Sequence, residues 1–188
     1  MYIVMFARTH KYGAAIIVLL KTGLRRGELL ALKWEDINFD NNIITIKRAV
    51  ADVPVNGVLK PIISEYSNVT KNHDRKIPFN NEMRESLLEI QRTSEFVFPN
   101  AKGEVNSPTN YSRRQYAIFM RDLCKEYPEI KRLTPHELRR TYGTLLYENN
   151  IDLRVIQKVM GHSDLKITSE IYIHDNIDYI KNELGKVK

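Results

Sequence analysis

Cysteine is nearly absent from the sequence, with Cys124 as its one example among 188 residues. A single thiol excludes a disulfide within the chain and a zinc site built from several of its cysteines. The longest apolar run, residues 14–20, ends at Lys21 and is far shorter than the roughly 18 residues of a membrane span. The first residues lack the basic segment and the cleavage site of a signal peptide. We therefore expect a cytoplasmic protein without a membrane partner.

Acidic residues are outnumbered, since 29 lysines and arginines face 23 aspartates and glutamates and leave a net charge of +6. This moderate basic excess suggests a polyanionic partner such as nucleic acid, although charge alone does not establish one. Apolar residues make up 43% of the chain, as in ordinary soluble proteins. A chain of this length can bury one good core and forms one domain or at most two small ones.

Most of the chain has the sequence pattern of helices. The clearest start is at Thr134, Pro135 and Glu137, which provide a capping residue, a proline at the first helical position and a glutamate three residues after the cap. The expected helices are 12–21 closed by Gly23, 25–34, 81–92 capped by Asn80, one from Ser107 to about residue 126, one from Thr134, one from Asp152 to Gly161, one capped by Ser163, and about 176–184.

Three extended segments interrupt the helices near the start of the chain. Residues 43–50, 58–63 and 69–79 are candidates for short strands, joined by hairpins. Pro61 marks its segment as an edge strand, because proline cannot donate a hydrogen bond to a neighbouring strand. We expect an α+β, mainly α fold with a small three-stranded antiparallel sheet inserted near the N-terminus. No composition shift marks a boundary, so residues 1–188 are expected to form a single domain.

Two arginine-containing clusters could carry chemistry, although each alone also fits an ordinary solvated surface. Arg25 follows a helix break, and Glu28, three residues later, could orient a neighbouring arginine or histidine. His136 and Arg139 lie three residues apart and share one helix face. They also lie near a helix N-terminus, where free backbone N–H groups and the helix dipole favour an anion.

Two further clusters add a lysine, a histidine and a tyrosine. Lys71 lies in a polar hairpin, where a lysine can reach into a groove or donate a proton to a leaving oxygen. His162 follows Met160-Gly161, and Tyr172 comes ten residues later. Because the pKa of a tyrosine is about 10, its hydroxyl is a poor nucleophile unless cations stabilise the phenolate or a base takes the proton.

In chain order these clusters read TGLRRGEL, then TK followed by RKIP, then TPHELRRT, MGH and Tyr172. The order arginine, lysine, His-x-x-Arg, histidine, tyrosine resembles the catalytic domain of the tyrosine recombinases, the phage integrase family. TGLRRGELLALKWEDI is similar to the family's first box, and TPHELRRTYGTLL with VIQKVMGHSDLKITSEIY to its second. The resemblance covers about residues 12–175. The resemblance implies the fold of that catalytic domain and an enzyme that breaks and rejoins DNA strands. It also implies that the partner is double-stranded DNA.

The resemblance implies that Arg25 and Arg139 clamp the scissile DNA phosphate. Planar guanidinium donors suit phosphate oxygens and can stabilise the charge that grows on them. The adjacent Arg26 and Arg140 are the alternatives. Arg25 is favoured because the family's arginine directly follows Gly-Leu, and Arg139 because the His-x-x-Arg spacing selects it. His136 matches the histidine that assists proton transfer or binds the phosphate.

The same resemblance implies that Tyr172 is the nucleophile, which forms a covalent 3′-phosphotyrosine link and releases a 5′-hydroxyl. Lys71 matches the hairpin lysine that acts as general acid to the 5′ oxygen, with Lys76 ranked below it. His162 matches a position that is His or Trp in the family, a phosphate contact or a packing support. No metal or other cofactor is expected, because the histidines lack paired carboxylate or cysteine ligands and the cations supply the charge of a metal.

Family members usually carry a further N-terminal domain that grips the DNA, and some add an arm-binding domain before it. Here about ten residues precede the first expected helix, so we expect these domains to be absent from this chain. It would be an excised catalytic fragment or an unusually short protein, with weak, salt-sensitive DNA binding. The segment 175–188 is expected to pack on its own domain or on a neighbouring protomer, within a homo-oligomer on DNA such as a tetramer.

Two other functions stay open beside a recombinase that integrates or excises a phage or mobile element. A type IB topoisomerase uses a similar residue set, but the compact size and the phage-type boxes favour the recombinase. A non-catalytic DNA-binding or regulatory module could keep the fold, but the intact set of six residues argues against such decay.

Overall fold

The computed structural model describes residues 2–66 and 75–161 as helices packed around a small β region. Within these residues, no helix is long and apolar enough to cross a membrane. The helices are α1 Tyr2–Thr9, α2 Gly13–Thr22, α3 Arg26–Leu30, α4 Asn81–Leu88, α5 Pro108–Asn110, α6 Ala117–Glu126, α7 Pro135–Glu148 and α8 Leu153–Met160. A π-helical segment, Tyr111–Tyr116, joins α5 to α6.

Helix α2 is the centre of the core, as its unbroken apolar sequence predicts. It packs against α1, α4 and α7, and Ile16, Val18 and Leu19 are completely buried. The helix ends at Gly23, whose positive φ of 62° allows the left-handed C-terminal conformation. The chain then turns directly into α3, and this turn places Arg25 at the N-terminus of that helix.

The β region consists of two antiparallel sheets. The strands are β1 Ile37–Asn38, β2 Ile43–Ile46, β3 Arg48–Val55, β4 Val58–Glu65 and β5 Arg75–Pro78. The first sheet has the strand order β1-β2-β5, and the second is a hairpin of β3 and β4. Pro61 lies in β4, which pairs with β3 alone among the described strands, so its expected place on an edge strand is confirmed.

A three-stranded antiparallel sheet is confirmed, but its strands differ from the predicted ones. The predicted strand 43–50 is divided at Lys47, and its two halves belong to different sheets. Contacts distant in sequence hold this division: Arg48 Nη1 donates to Asp36 Oδ2 at 2.6 Å, and Lys47 Nζ lies 3.1 Å from Asp36 Oδ1. β propensity cannot reveal such a change of partner.

The predicted helix caps that lie within the described residues are confirmed, but two helix ends were wrong and one helix was missed. The predicted helices 25–34 and 81–92 end earlier, α3 at Leu30 and α4 at Leu88. Thr134 and Glu137 form the expected capping box of α7, and Asp152 caps α8, which ends at Gly161 with φ 65°. Helix α1 has no predicted counterpart. The expected Ser163 cap and the expected helix 176–184 lie outside the described residues.

Candidate functional site at the end of helix α8

Arg139 lies in the second turn of α7, and it is only 4% exposed. Its Nη1 donates a hydrogen bond of 2.5 Å to the backbone carbonyl of Gly23. Its Nη2 donates to the carbonyl of Met160. One buried guanidinium therefore links three parts of the fold: α7, the turn between α2 and α3, and the end of α8.

Arg25 reaches the same helix end from the N-terminus of α3. Its Nη2 donates to the carbonyl of Gly161 at 2.9 Å, and its Nη1 donates to Glu28 Oε1 at 3.0 Å. Unlike Arg139, its side chain is 44% exposed. Because Met160 and Gly161 are consecutive, the structure brings the two predicted phosphate-binding arginines together.

The two alternative arginines do not share these contacts. Arg26 Nη1 donates to Ser112 Oγ at 2.7 Å, at the π-helical segment. Arg140 is exposed on α7, although Arg139, one position earlier, is buried. The geometry thus distinguishes Arg25 and Arg139 from their neighbours in sequence.

The remaining predicted residues have different placements. His136 is exposed in the first turn of α7, one turn before Arg139. Lys71, His162 and Tyr172 lie outside the described residues, so their roles stay predictions.

Lys76, the alternative to Lys71, is described. It is exposed on β5 between the buried Arg75 and Ile77. Successive side chains of a strand alternate between its faces, so Lys76 lies on the face opposite to Arg75.

A buried carboxylate, that of Glu28, lies beneath Arg25. It accepts a hydrogen bond from the Arg25 backbone N–H at 2.7 Å as well as the bond from the Arg25 side chain. Arg75 donates to both of its oxygens, at 2.9 and 2.6 Å, and Tyr66 Oη donates to Oε1 at 3.1 Å. The predicted role of Glu28 as an acceptor for a neighbouring arginine is confirmed.

Arg75 and Tyr66 were missed by the sequence reasoning, which counted Arg75 only among the cations of a solvated hairpin. One signal was available for Arg75. It precedes Ile77 by two positions in an extended segment, and residues two apart on a strand share a face. A buried isoleucine therefore predicts an inward-facing Arg75.

The charges around Glu28 settle its ionisation. Burial by itself would raise the pKa of Glu28, but the hydrogen bonds and positive charges of Arg75 and Arg25 outweigh it and lower the pKa from 4.5 to about 2. Burial and the adjacent Glu28 carboxylate raise the pKa of Tyr66 to about 12. At neutral pH the cluster therefore consists of one carboxylate, two guanidinium groups and a neutral phenol that donates a hydrogen bond to the carboxylate.

Comparison with known proteins shows which proteins this chain is similar to. A XerC-like tyrosine recombinase of Caldanaerobacter subterraneus subsp. tengcongensis is 29% identical over 183 residues, which cover 88% of this chain and 46% of that protein. The transposase of transposon Tn916 from Enterococcus faecalis is 25% identical over 190 residues, covering 92% of this chain and 44% of the transposase. The chain thus spans about half the length of these relatives.

Solved structures agree with the sequence relatives. The Tn1549 transposon integrase in complex with transposon right end DNA has a TM-score of 0.84 and 25% identity, covering 98% of this chain and 62% of that one. XerA recombinase has a TM-score of 0.69 and 25% identity, covering 98% of this chain and 61% of that one. The sequence model of the phage integrase family matches residues 4–178. The chain therefore belongs to the phage integrase family.

Proposed function

We propose that this chain is the catalytic domain of a site-specific DNA recombinase that integrates or excises a phage or mobile element. The observation that carries the proposal is the meeting of Arg25 and Arg139 at the carbonyls of Gly161 and Met160. The chain continues from this point into His162 and, ten residues later, Tyr172. In sequence, the proposed nucleophile thus comes eleven residues after Gly161, at the helix end that holds the proposed phosphate-binding arginines.

In this proposal Arg25 and Arg139 bind the scissile phosphate. Arg25 is partly exposed, so a phosphate can reach it from solvent, while its bonds to Glu28 and Gly161 hold the guanidinium in place. The buried Arg139 adds positive charge in a region of low dielectric constant, where electrostatic interactions are strong. Donors that are fixed before the reaction stabilise the charge developing on phosphate oxygens without reorganising.

The proposed reaction is a transesterification. The Tyr172 oxygen attacks phosphorus and forms the 3′-phosphotyrosine bond, while the bond from phosphorus to the 5′ oxygen breaks. Lys71 donates a proton to that leaving oxygen, and His136 accepts the phenol proton, a role that also leaves it close enough to contact the phosphate. His162 contacts the phosphate or supports the packing. Attack by a 5′-hydroxyl reverses these steps, so rejoining needs no other energy source.

The proposed partners are double-stranded DNA and further copies of this chain. The Tn1549 integrase was solved with transposon DNA, and the net charge of +6 suits a polyanion. We propose that the segment 175–188, whose sequence contains the apolar residues Ile177, Tyr179, Ile180 and Leu184, docks on a neighbouring protomer and couples the active sites of a tetramer.

The experiment that tests this function traps the covalent intermediate. The full chain is incubated with a pool of duplexes that carry a bridging 5′-phosphorothiolate within randomised sequence, and adducts that survive detergent are isolated. Wild type should form adducts, because the released thiol rejoins poorly, and their DNA identifies the preferred site. The Tyr172→Phe variant should form none and should bind DNA as wild type does.

Tyr179→Phe is the matched control, because it removes a phenol hydroxyl from the segment 175–188 rather than from the proposed active site. It should keep the ability to form adducts. Equal inactivity of wild type and Tyr172→Phe, with DNA binding intact, would favour the non-catalytic binding module. Relaxation of supercoiled plasmids without recombination of two sites would instead favour a topoisomerase.

A further inference from the structure

Arg75 is a buried arginine that has no part in the reaction proposed above. It is 4% exposed at the start of β5, and its two Nη atoms donate to the two oxygens of Glu28. Its guanidinium also lies directly against Gly161, because a Cβ atom at that position would lie 2.6 Å from Arg75 Nη1. Arg75 therefore contacts both partners of the Arg25 side chain, the Glu28 carboxylate and the end of α8.

Burying this ion pair is a costly way to fill the core. A buried ion pair is often no more stabilising than apolar side chains of similar volume. Arg75 Nε is buried and has no hydrogen-bond partner among the described residues, and an unsatisfied buried donor costs free energy. What apolar side chains could not supply is the fixed charge geometry that the pair creates next to Arg25.

Arg75 also directly follows, in the chain, the segment that contains Lys71. Tyr66 and Arg75 flank residues 67–74, the segment that contains Lys71. Both flanking side chains donate to the Glu28 carboxylate, which also accepts from Arg25. One carboxylate thus joins both flanks of the Lys71 segment to the proposed phosphate-binding arginine.

We infer that Arg75 is a positioning residue which, by fixing the Glu28 carboxylate, orients Arg25 against the end of α8. The inference rests on the proposed function, in which Arg25 binds phosphate. Within residues 2–66 and 75–161, the charged and titratable groups in contact with Glu28 are Arg25, Arg75 and Tyr66. Without Arg75, the Glu28 carboxylate loses the paired donors that fix both of its oxygens, so its charge-assisted bond to Arg25 is no longer held in one geometry, and burial acts on its pKa with less compensation.

The first test follows Glu28 itself in the full chain. The pH titration of its side-chain carboxyl carbon is recorded by NMR for wild type, Arg75→Gln, Arg75→Lys and Lys76→Gln. Arg75→Gln should raise the pKa of Glu28 by at least about one unit, and Arg75→Lys by less, because a lysine keeps the charge but not the paired geometry. Lys76→Gln is the matched control, since it removes a cation from the opposite face of β5, and it should leave the titration unchanged.

The second test separates positioning from binding and from stability. Single-turnover cleavage of the phosphorothiolate duplex is measured at saturating protein, together with the dissociation constant. Arg75→Gln should slow cleavage at least tenfold while the dissociation constant stays within twofold, and Arg75→Lys should recover part of the rate. Circular dichroism checks folding, and if Arg75→Gln does not fold, Arg75→Lys must show a smaller loss of the same kind.

The two tests fail in distinguishable ways. A wild-type chain that never cleaves contradicts the proposed function, whereas the Glu28 titration still decides whether Arg75 controls that carboxylate. A titration that Arg75→Gln and Arg75→Lys leave unchanged overturns the inference. It is equally overturned if wild type cleaves and the Arg75 variants lose DNA binding instead of the cleavage rate.

Discussion

Arg25 and Arg139 donate hydrogen bonds to consecutive backbone carbonyls, Arg25 to that of Gly161 and Arg139 to that of Met160. Carbonyl groups at a helix C-terminus lack donors within the helix and carry partial negative charge, so they are good acceptors for guanidinium groups. The end of α8 therefore fixes two cations that come from distant parts of the sequence. The two differ in burial, and this difference predicts different consequences of their removal.

Replacing Arg139 by alanine should destabilise the fold far more than replacing Arg25. Arg139 is buried and bonds two backbone carbonyls, so Arg139→Ala should lower the free energy of unfolding by about 3 kcal/mol. Arg25 is partly exposed, and Arg25→Ala should cost less than about 1 kcal/mol. Urea denaturation of both variants measures the difference. Equal losses would show that the burial of Arg139 has no energetic consequence.

The Glu28 carboxylate should make stability depend on pH in the acid range. Its pKa is about 2 in the folded chain, against an ordinary value of 4.5. The unfolded chain therefore binds more protons between these values, and the contribution of Glu28 is complete above about pH 4.5 and disappears as the pH falls toward 2. The stability difference between wild type and Glu28→Gln should shrink by about 3 kcal/mol over this range.

Urea denaturation at several pH values measures that difference. Glu82→Gln is a suitable control, because the hydrogen bond from Lys21 lowers the pKa of this carboxyl as well, but at a partly exposed position. The difference in the free energy of unfolding between wild type and Glu82→Gln should change much less with pH. Parallel stability curves for wild type and Glu28→Gln would contradict the lowered pKa of Glu28.

Gly161→Ala should disturb Arg75 in addition to straining the backbone. A Cβ atom at Gly161 would lie 2.6 Å from Arg75 Nη1, and φ there is 65°. Gly57 supplies a control, since its φ is 76° but a Cβ atom there would have nothing within 4 Å. Backbone strain should lower the free energy of unfolding of each variant by about 1 kcal/mol. Gly161→Ala should lower it further, because the added Cβ atom displaces Arg75, and the same displacement should raise the pKa of Glu28. Equal losses of stability, measured by urea denaturation, would contradict the close contact.

Duplex DNA binding by this chain should be weak and strongly salt-dependent. Contacts between cations and phosphates release counterions, so affinity should fall at least about tenfold between roughly 50 and 200 mM salt. Arg25→Ala should reduce the slope of log affinity against log salt by about one. Fluorescence anisotropy with a labelled duplex measures both effects. Nanomolar affinity at about 0.15 M salt would contradict the prediction.

Local sequence determined the helix caps and the order of the functional motifs. The capping box of Thr134 and Glu137 and the glycine ends at Gly23 and Gly161 are formed by residues close together in the chain. Short-range hydrogen bonds and backbone preferences decide such features. The same holds for Glu28, whose role as acceptor for Arg25 needs a separation of three residues only.

The tertiary structure alone decided which distant residues meet. No local pattern indicates that strand 43–50 divides at Lys47, since the contact with Asp36 that accompanies the division comes from another element. Nor does any local pattern place Arg75 on Glu28, or Arg139 on the carbonyls of Gly23 and Met160. Burial in a common core creates these contacts, because it removes water as the alternative partner and leaves each charge to find a protein group.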